Sequence, residues 1–249
     1  LSYRIKEFEE SLDNSDSNLK EECKEEINFS IEMFDRLIVF YNSSLPERIC
    51  HNDSKLNNIL FSSSSKGLCM IDLDTILKGY FHYDFGDAIR TIVNPASEEE
   101  KDLSKILFNK SLFKAFIDGL KSNGKFLSNK ELELLPLSTA LMPFIHGLRA
   151  LTDYLNGNIY YRVSYPKQNL IRSRNLFAFS KLALKHQDFM KEAIEKVFQS
   201  IHKRIFPKAP IKRVATPLNT LSGFVRIFKQ FNPIIATKIK KVVNLILSS

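Results

Sequence analysis

The stretch His51-Asn52-Asp53-Ser54-Lys55-Leu56-Asn57-Asn58-Ile59-Leu60-Phe61, continued by Ser62-Ser63-Ser64-Ser65-Lys66-Gly67 and then Leu68-Cys69-Met70-Ile71-Asp72, decides the reading of this chain. Residues 51–58 are too rich in Asn, Asp and Ser to extend a strand or a helix, because such side chains bond to neighbouring backbone and favour turns. They form a loop. The apolar runs 59–61 and 68–71 flank a polar turn ending in glycine, the pattern of a β-hairpin with a somewhat long connection. An antiparallel hairpin brings together residues equidistant from its turn, and the midpoint of Asn58 and Asp72 is position 65, inside the turn. Asp72 is therefore expected beside Asn58.

His51, Asp53 and Asn58 fit the pattern H-x-D-x-x-x-x-N, the spacing of a kinase catalytic loop, in which the Asp accepts a proton from the acceptor hydroxyl and the Asn holds magnesium. Phosphoryl transfer from a nucleotide needs two hard oxygen donors on the metal that bridges the phosphates, and a third carboxylate at the acceptor. Asn58, Asp72 and Asp53 make up that set. Read without this context, the same residues are ordinary turn formers. The tripeptide Asp84-Phe85-Gly86 imitates the kinase metal-binding D-F-G, but its midpoint with Asn58 is Ile71, inside an apolar run where no turn can form. Asp84 and Asp87 are expected instead to open a helix, with Asp84 capping amides or bracing the loop, and His51 is expected to brace the same loop.

Upstream, Ile27, Ile31, Phe34, Leu37, Ile38 and Tyr41 recur three and four apart, so the acidic first 45 residues read as helix until Pro46. Arg48-Ile49-Cys50 is a short connecting stretch. Downstream, the pattern predicts helices over about 84–93, 97–121, 129–156 and 168–203, with breaks at Pro95, Asn123-Gly124, Gly157 and Pro166. The fold class expected is α+β, mostly α, with one small β-hairpin.

The 249 residues are 44% hydrophobic and 26% charged, enough for a sizeable core and unlike a disordered chain. Three cysteines make no disulfide framework, no secretory leader opens the sequence and no run of about 18 uninterrupted apolar residues spans a membrane, so a cytoplasmic protein is expected. The net charge of +8 is unevenly spread: the last 54 residues hold 11 basic and no acidic side chains, leaving 25 basic against 28 acidic before them. The body is mildly acidic, so the chain as a whole is not a specific nucleic-acid binder.

The stretch from His51 through Phe61, with Ile71-Asp72-Leu73-Asp74 and Tyr83-Asp84-Phe85-Gly86-Asp87, resembles the aminoglycoside phosphotransferase-like (choline/sugar kinase) family. Within it, Leu148-Arg149-Ala150-Leu151-Thr152-Asp153-Tyr154-Leu155-Asn156-Gly157-Asn158-Ile159-Tyr160-Tyr161 is similar to the sugar-side segment of N-acetylhexosamine 1-kinases. The resemblance covers about residues 46–185. It implies a protein-kinase-like C-terminal lobe whose hairpin carries the catalytic loop and the metal-binding Asp. It also implies Asp53 as catalytic base, Asn58 and Asp72 as magnesium ligands, Arg149 and Tyr160 at the sugar, and ATP as co-substrate. The anomeric hydroxyl of an N-acetylhexosamine is the acceptor implied. Read without the family, Arg149 and Tyr160 could bond and stack on a polyol, or be a surface Arg and a packed Tyr.

The family's glycine loop and strand lysine have no counterpart in the first 50 residues, which contain no glycine, so the N-terminal lobe is expected to be absent; the initial Leu1 fits a chain cut from something longer. The organisation expected is an acidic lead-in at 1–45, a kinase-like lobe at 46–204 and a basic tail at 205–249 with amphipathic helices at about 218–231 and 234–248. That tail suits a membrane surface or an acidic partner, or packs on the acidic first helix. The alternative function is thus a catalytically incomplete kinase-fold fragment or binding module. Gly119 to Lys125 imitates a P-loop, but Phe126 replaces the metal-binding hydroxyl and a helix precedes it. The five histidines lack paired metal spacing.

Overall fold

Helices order this chain because apolar side chains recur at helical spacing between polar breaks. The structure, a computed structural model, describes residues 1–198; the basic tail with its two expected helices lies outside the described residues. The first 45 residues form three helices rather than one, α1 (Ser2–Asn14), α2 (Ser17–Glu22) and α3 (Lys24–Asn42). Asp16 divides the first two by accepting the Leu19 amide at 2.8 Å, a side-chain N-cap. The α3 stripe is buried through Ile27, Met33, Phe34 and Leu37, while Tyr41 stays exposed. Phe34 meets Phe8 of α1, and Phe29 meets Phe144 and Phe177 edge-on.

Two antiparallel hairpins follow. In one, β1 (Arg48–Cys50) pairs with β4 (Leu77–Gly79); in the other, β2 (Ile59–Phe61) pairs with β3 (Gly67–Met70). The first pairing was not visible in the sequence, because its strands lie on either side of the whole second hairpin. The register of the second sets Ile59 opposite Met70, so Ile71 rather than Asp72 faces Asn58, and the Ile71 amide donates to the Asn58 carbonyl at 2.9 Å. The expected register is off by one residue.

Five further helices complete the described chain: α4 (Phe81–Ile92), α5 (Lys110–Asn123), α6 (Asn129–Leu155), α7 (Gln168–Lys185) and α8 (Gln187–Phe198). The helix expected from 97 starts only at 110, where Asn109 caps α5 through the Ser111 and Leu112 amides, both at 3.0 Å. Residues 97–109 fold back instead, with the Asn109 amide on the Val93 carbonyl at 2.9 Å and Asn175 donating to the Ser97 and Glu100 carbonyls at 3.0 and 2.9 Å. The single helix expected from 168 divides at His186 into α7 and α8. The P-loop imitation falls at the end of α5, in a 3-10 turn over Gly124–Phe126.

The core lies around α6. A capping box of Ser128 and Glu131 opens this helix, and Glu131 also pairs with Arg48 of β1 at 2.6 Å, fixing the first hairpin to the helical body. By length and composition α6 could cross a membrane, a property the sequence reading did not detect, but most of it is buried within the protein, as in a core helix. Helices α4 and α6 approach so closely that a Cβ at Gly86 would stand 2.3 Å from the Ser138 carbonyl oxygen. Gly86 is a packing glycine. Side chains from α1 to α8 join one continuous core, including Phe8, Phe34, Phe85, Phe113, Phe144 and Phe179.

Candidate active site

The loop between β1 and β2 is held open by a carboxylate at the start of α4. Asp84 accepts the His51 amide at 2.8 Å on one oxygen and the Asn52 amide at 2.7 Å on the other, and its carbonyl takes the Ser54 hydroxyl at 2.7 Å. Burial pushes the Asp84 carboxyl above its ordinary value, and the two amides oppose that shift. His51 is buried and its Nε2 lies 2.9 Å from the Ile71 carbonyl, linking the loop to the end of β3. Asn52, at φ 63°, adopts the left-handed region that Asn tolerates, and its amide nitrogen donates to the carbonyls of Cys50 at 3.2 Å and Thr75 at 3.1 Å.

Inside this frame the structure brings Asp53, Asn58 and Asp72 together. The buried Asn58 donates from Nδ2 to the Asp53 carbonyl at 2.8 Å and to Asp53 Oδ2 at 2.9 Å, and reaches Asp72 Oδ2 at 3.4 Å. The one-residue difference in register would by itself throw the Asp72 side chain to the other face. Asp72 lies at φ 65°, however, and this left-handed twist returns its carboxylate toward Asn58. Lys55 donates to Asp53 Oδ2 at 2.6 Å. That cation escaped the sequence reading, although its place two residues after Asp53 was the available signal.

Asn58 and Asp72 are the residues that could hold a magnesium ion, with the Asn58 nitrogen turned to both Asp53 and Asp72. Asn58 uses its nitrogen on Asp53, so its Oδ1 is the oxygen left to coordinate, and Asp72 adds a carboxylate. Among the described residues no group of three or more His, Cys, Asp and Glu is placed to hold a metal ion. One amide oxygen and one carboxylate match an ion that keeps several waters and takes other ligands from substrate phosphates.

Arg149 and Tyr160 come together at the far end of α6. The guanidinium of Arg149 lies 5.9 Å from the Tyr160 ring centroid and 5.8 Å from that of Tyr161, and Arg172 of α7 lies 5.2 Å from the latter. Tyr160 is exposed. The buried Asp153 places both tyrosines, accepting the Tyr160 amide at 2.7 Å, the Tyr161 amide at 3.0 Å and Asn169 Nδ2 at 2.8 Å. Among the described residues no hydrogen bond or ring contact joins Arg149 or Tyr160 to Asp53, Asn58 or Asp72.

An ionic chain that the sequence reading missed, buried at Asp87 and Arg90 and half-buried at Glu98 and Arg172, links α4 to α7. Asp87 of α4 pairs with Arg90 at 2.7 Å and has the Nε2 of His146 from α6 3.3 Å away, while Glu98 binds both Arg90 and Arg172. Burial works against the ionised forms of Asp87 and Glu98, yet their cationic partners hold both carboxyls below their ordinary values. Burial also lowers His146, against the pull of Asp87.

Residues 3–104 match the model of the phosphotransferase enzyme family (APH). The match spans 102 of the 249 residues, and over that part the chain is similar to a family of phosphotransferases. It includes both hairpins, Asp53, Asn58, Asp72 and Asp84. It also reaches back over α1 to α3, which the sequence reading left outside the resemblance, and it ends before Arg149 and Tyr160.

Proposed function

We propose that this chain is a small-molecule kinase that moves the γ-phosphoryl group of ATP to a sugar hydroxyl, with the anomeric hydroxyl of an N-acetylhexosamine as acceptor. The observation that carries the reading is the contact of Asn58 with both Asp53 and Asp72 at the mouth of one hairpin. Asp53 Oδ2 takes Lys55 and Asn58, so Oδ1 is the atom free to receive the acceptor's proton. Asn58 and Asp72 would hold magnesium, which supplies charge neutralisation at the phosphates. Lys55 adds positive charge beside the base, where the transferring group must pass. Arg149 and Tyr160 orient the sugar, the guanidinium by hydrogen bonds and the ring by stacking. In this reading the segment 46–204, of which the structure describes residues up to 198, is the protein-kinase-like C-terminal lobe.

A second reading rests on α1 to α3: the residues before the loop are three helices, with no glycine loop to cover a phosphate. It predicts a chain that keeps the fold and binds sugar without turnover. Titration with Mg-ATP, alone and after saturation with N-acetylglucosamine or N-acetylgalactosamine, with phosphate transfer followed in the same samples, separates the two. Kinase activity that falls by about 10²-fold or more in Asp53→Asn, with the fold retained, supports the first reading. Undiminished transfer in that variant overturns the role of Asp53, and sugar binding without nucleotide binding favours the second.

A further inference from the structure

Glu98 sits in the stretch between α4 and α5 that folds back instead of extending a helix. Its neighbours fasten that stretch to α7: Asn175 donates to the Ser97 and Glu100 carbonyls, and Gln168 donates to Glu99 Oε1 at 2.9 Å. The Glu98 carboxylate divides its oxygens between two helices. Oε1 takes Nη1 of Arg90 from α4, and Oε2 takes Nε of Arg172 from α7 at 2.9 Å together with its Nη2. Arg90 is itself buried and held by Asp87, so Glu98 is anchored to α4. The same helix fixes the candidate catalytic loop at two points. Asp84 accepts the His51 and Asn52 amides, and Thr91 Oγ1 accepts the Leu56 amide at 2.9 Å.

On the α7 side, two guanidinium groups approach one ring. Arg172 lies 5.2 Å and Arg149 5.8 Å from the Tyr161 centroid, and the Tyr160 ring stands perpendicular to that of Tyr161 at 4.8 Å. Like charges that share a ring repel each other unless a carboxylate offsets one of them. Arg172 has that carboxylate in Glu98, and two nitrogens bound to it leave the guanidinium plane little freedom to turn. Arg149 is half-buried and makes ring contacts but no hydrogen bond or ion pair among the described residues, so its donors stay available to a ligand.

We propose that Glu98 is a positioning residue for the acceptor. It touches no substrate; through Arg172 it sets the Tyr161 ring and the reach of Arg149 relative to the helix that holds the loop of Asp53. This rests on the reading that places the acceptor at Arg149 and Tyr160. Transfer requires the acceptor hydroxyl to be oriented closely against the base, and the link from α4 to α7 gives both partners one anchor.

Glu98→Gln keeps the shape but offers one acceptor oxygen to two guanidinium groups. Titration of the full-length chain with N-acetylglucosamine should show binding about tenfold weaker in this variant, with Mg-ATP binding within about twofold of the unaltered chain. Arg172→Gln, which leaves the buried Asp87–Arg90 pair in place, should weaken the sugar to the same extent, and the double variant no further, since both changes break one link. Glu99→Ala releases the neighbouring contact with Gln168 but no guanidinium, and should bind sugar as the unaltered chain does. Unchanged sugar binding in Glu98→Gln, a loss multiplied to about a hundredfold in the double variant, or an equal loss in Glu99→Ala overturns the proposal and leaves the acceptor reading standing. An unaltered chain that binds neither N-acetylglucosamine nor N-acetylgalactosamine overturns that reading, and the role of Glu98 with it.

Discussion

The Asp84 carboxylate lies 2.7 Å from the backbone nitrogen of Asn52, the left-handed residue immediately before Asp53. The position of the candidate base thus depends on a side chain at the start of another element. In Asp84→Asn, the side chain keeps one acceptor oxygen for two amides, one of which is left without its partner. Loss of a charge-assisted hydrogen bond predicts destabilisation of about 1.5–3 kcal/mol, read as a lower urea midpoint with unchanged slope. Activity should fall by more than that loss of folded protein explains.

Near the end of α6, Asp153 accepts the Tyr160 amide and so acts on Tyr160 through the backbone, touching no sugar in the proposed reading. Asp153→Asn should raise the KM for the acceptor by about tenfold, with kcat and the KM for nucleotide little changed, because it loosens the turn that presents Tyr160. An equal loss with both substrates would point to general unfolding.

Gly86→Ala tests the helix packing under the loop. Its Cβ would stand 2.3 Å from the Ser138 carbonyl oxygen, and backbone cannot yield as a side chain can. Overpacking of this kind costs about 1–3 kcal/mol or more, so the melting temperature should fall by several degrees.

Acid should weaken the fold in two stages. His146 and His82 have pKa values lowered by burial from 6.5, so the unfolded chain binds protons first as pH falls below 6.5 and stability drops. Asp87 and Glu98 lie below their ordinary values of 3.8 and 4.5; their contribution is present above those values and is lost as pH falls through the folded pKa. Asp84 opposes the second stage, because its raised pKa lets the folded chain take up the proton first. Urea midpoints from pH 8 to 3 should show both stages, and His146→Gln should flatten the first.

The grouping of the candidate residues was legible because it is local. Asp53, Asn58 and Asp72 lie within 20 residues, and a turn between two short apolar runs brings the last two together. The register was legible only to within one residue, since neither the irregular pairing at Leu60/Phe61 nor the left-handed Asp72 has a signature in hydropathy. The β1–β4 pairing joins Cys50 to Leu77 across the other hairpin, and nothing in either short strand names its partner. Periodicity carried a helix through 97–109, where the side chains of Asn94, Asp102 and Asn175 satisfy the backbone instead. The division at His186 carries neither Gly nor Pro. The chain from Asp87 through Glu98 to Arg172 depends on the packing of α4 against α6 and α7, which no local pattern records.

The left-handed backbone at Asp72 also narrows what this position can become. Glycine fits that conformation without strain but brings no oxygen, Asn fits it but brings no charge, and branched or bulky residues do not fit it well. A library randomised at codon 72 and selected for folded protein should therefore be dominated by Gly, Asn and Asp, and only the last offers a carboxylate to a cation. Backbone geometry, at a cost of about 1–2 kcal/mol for most side chains, has already narrowed the alphabet before chemistry makes its choice.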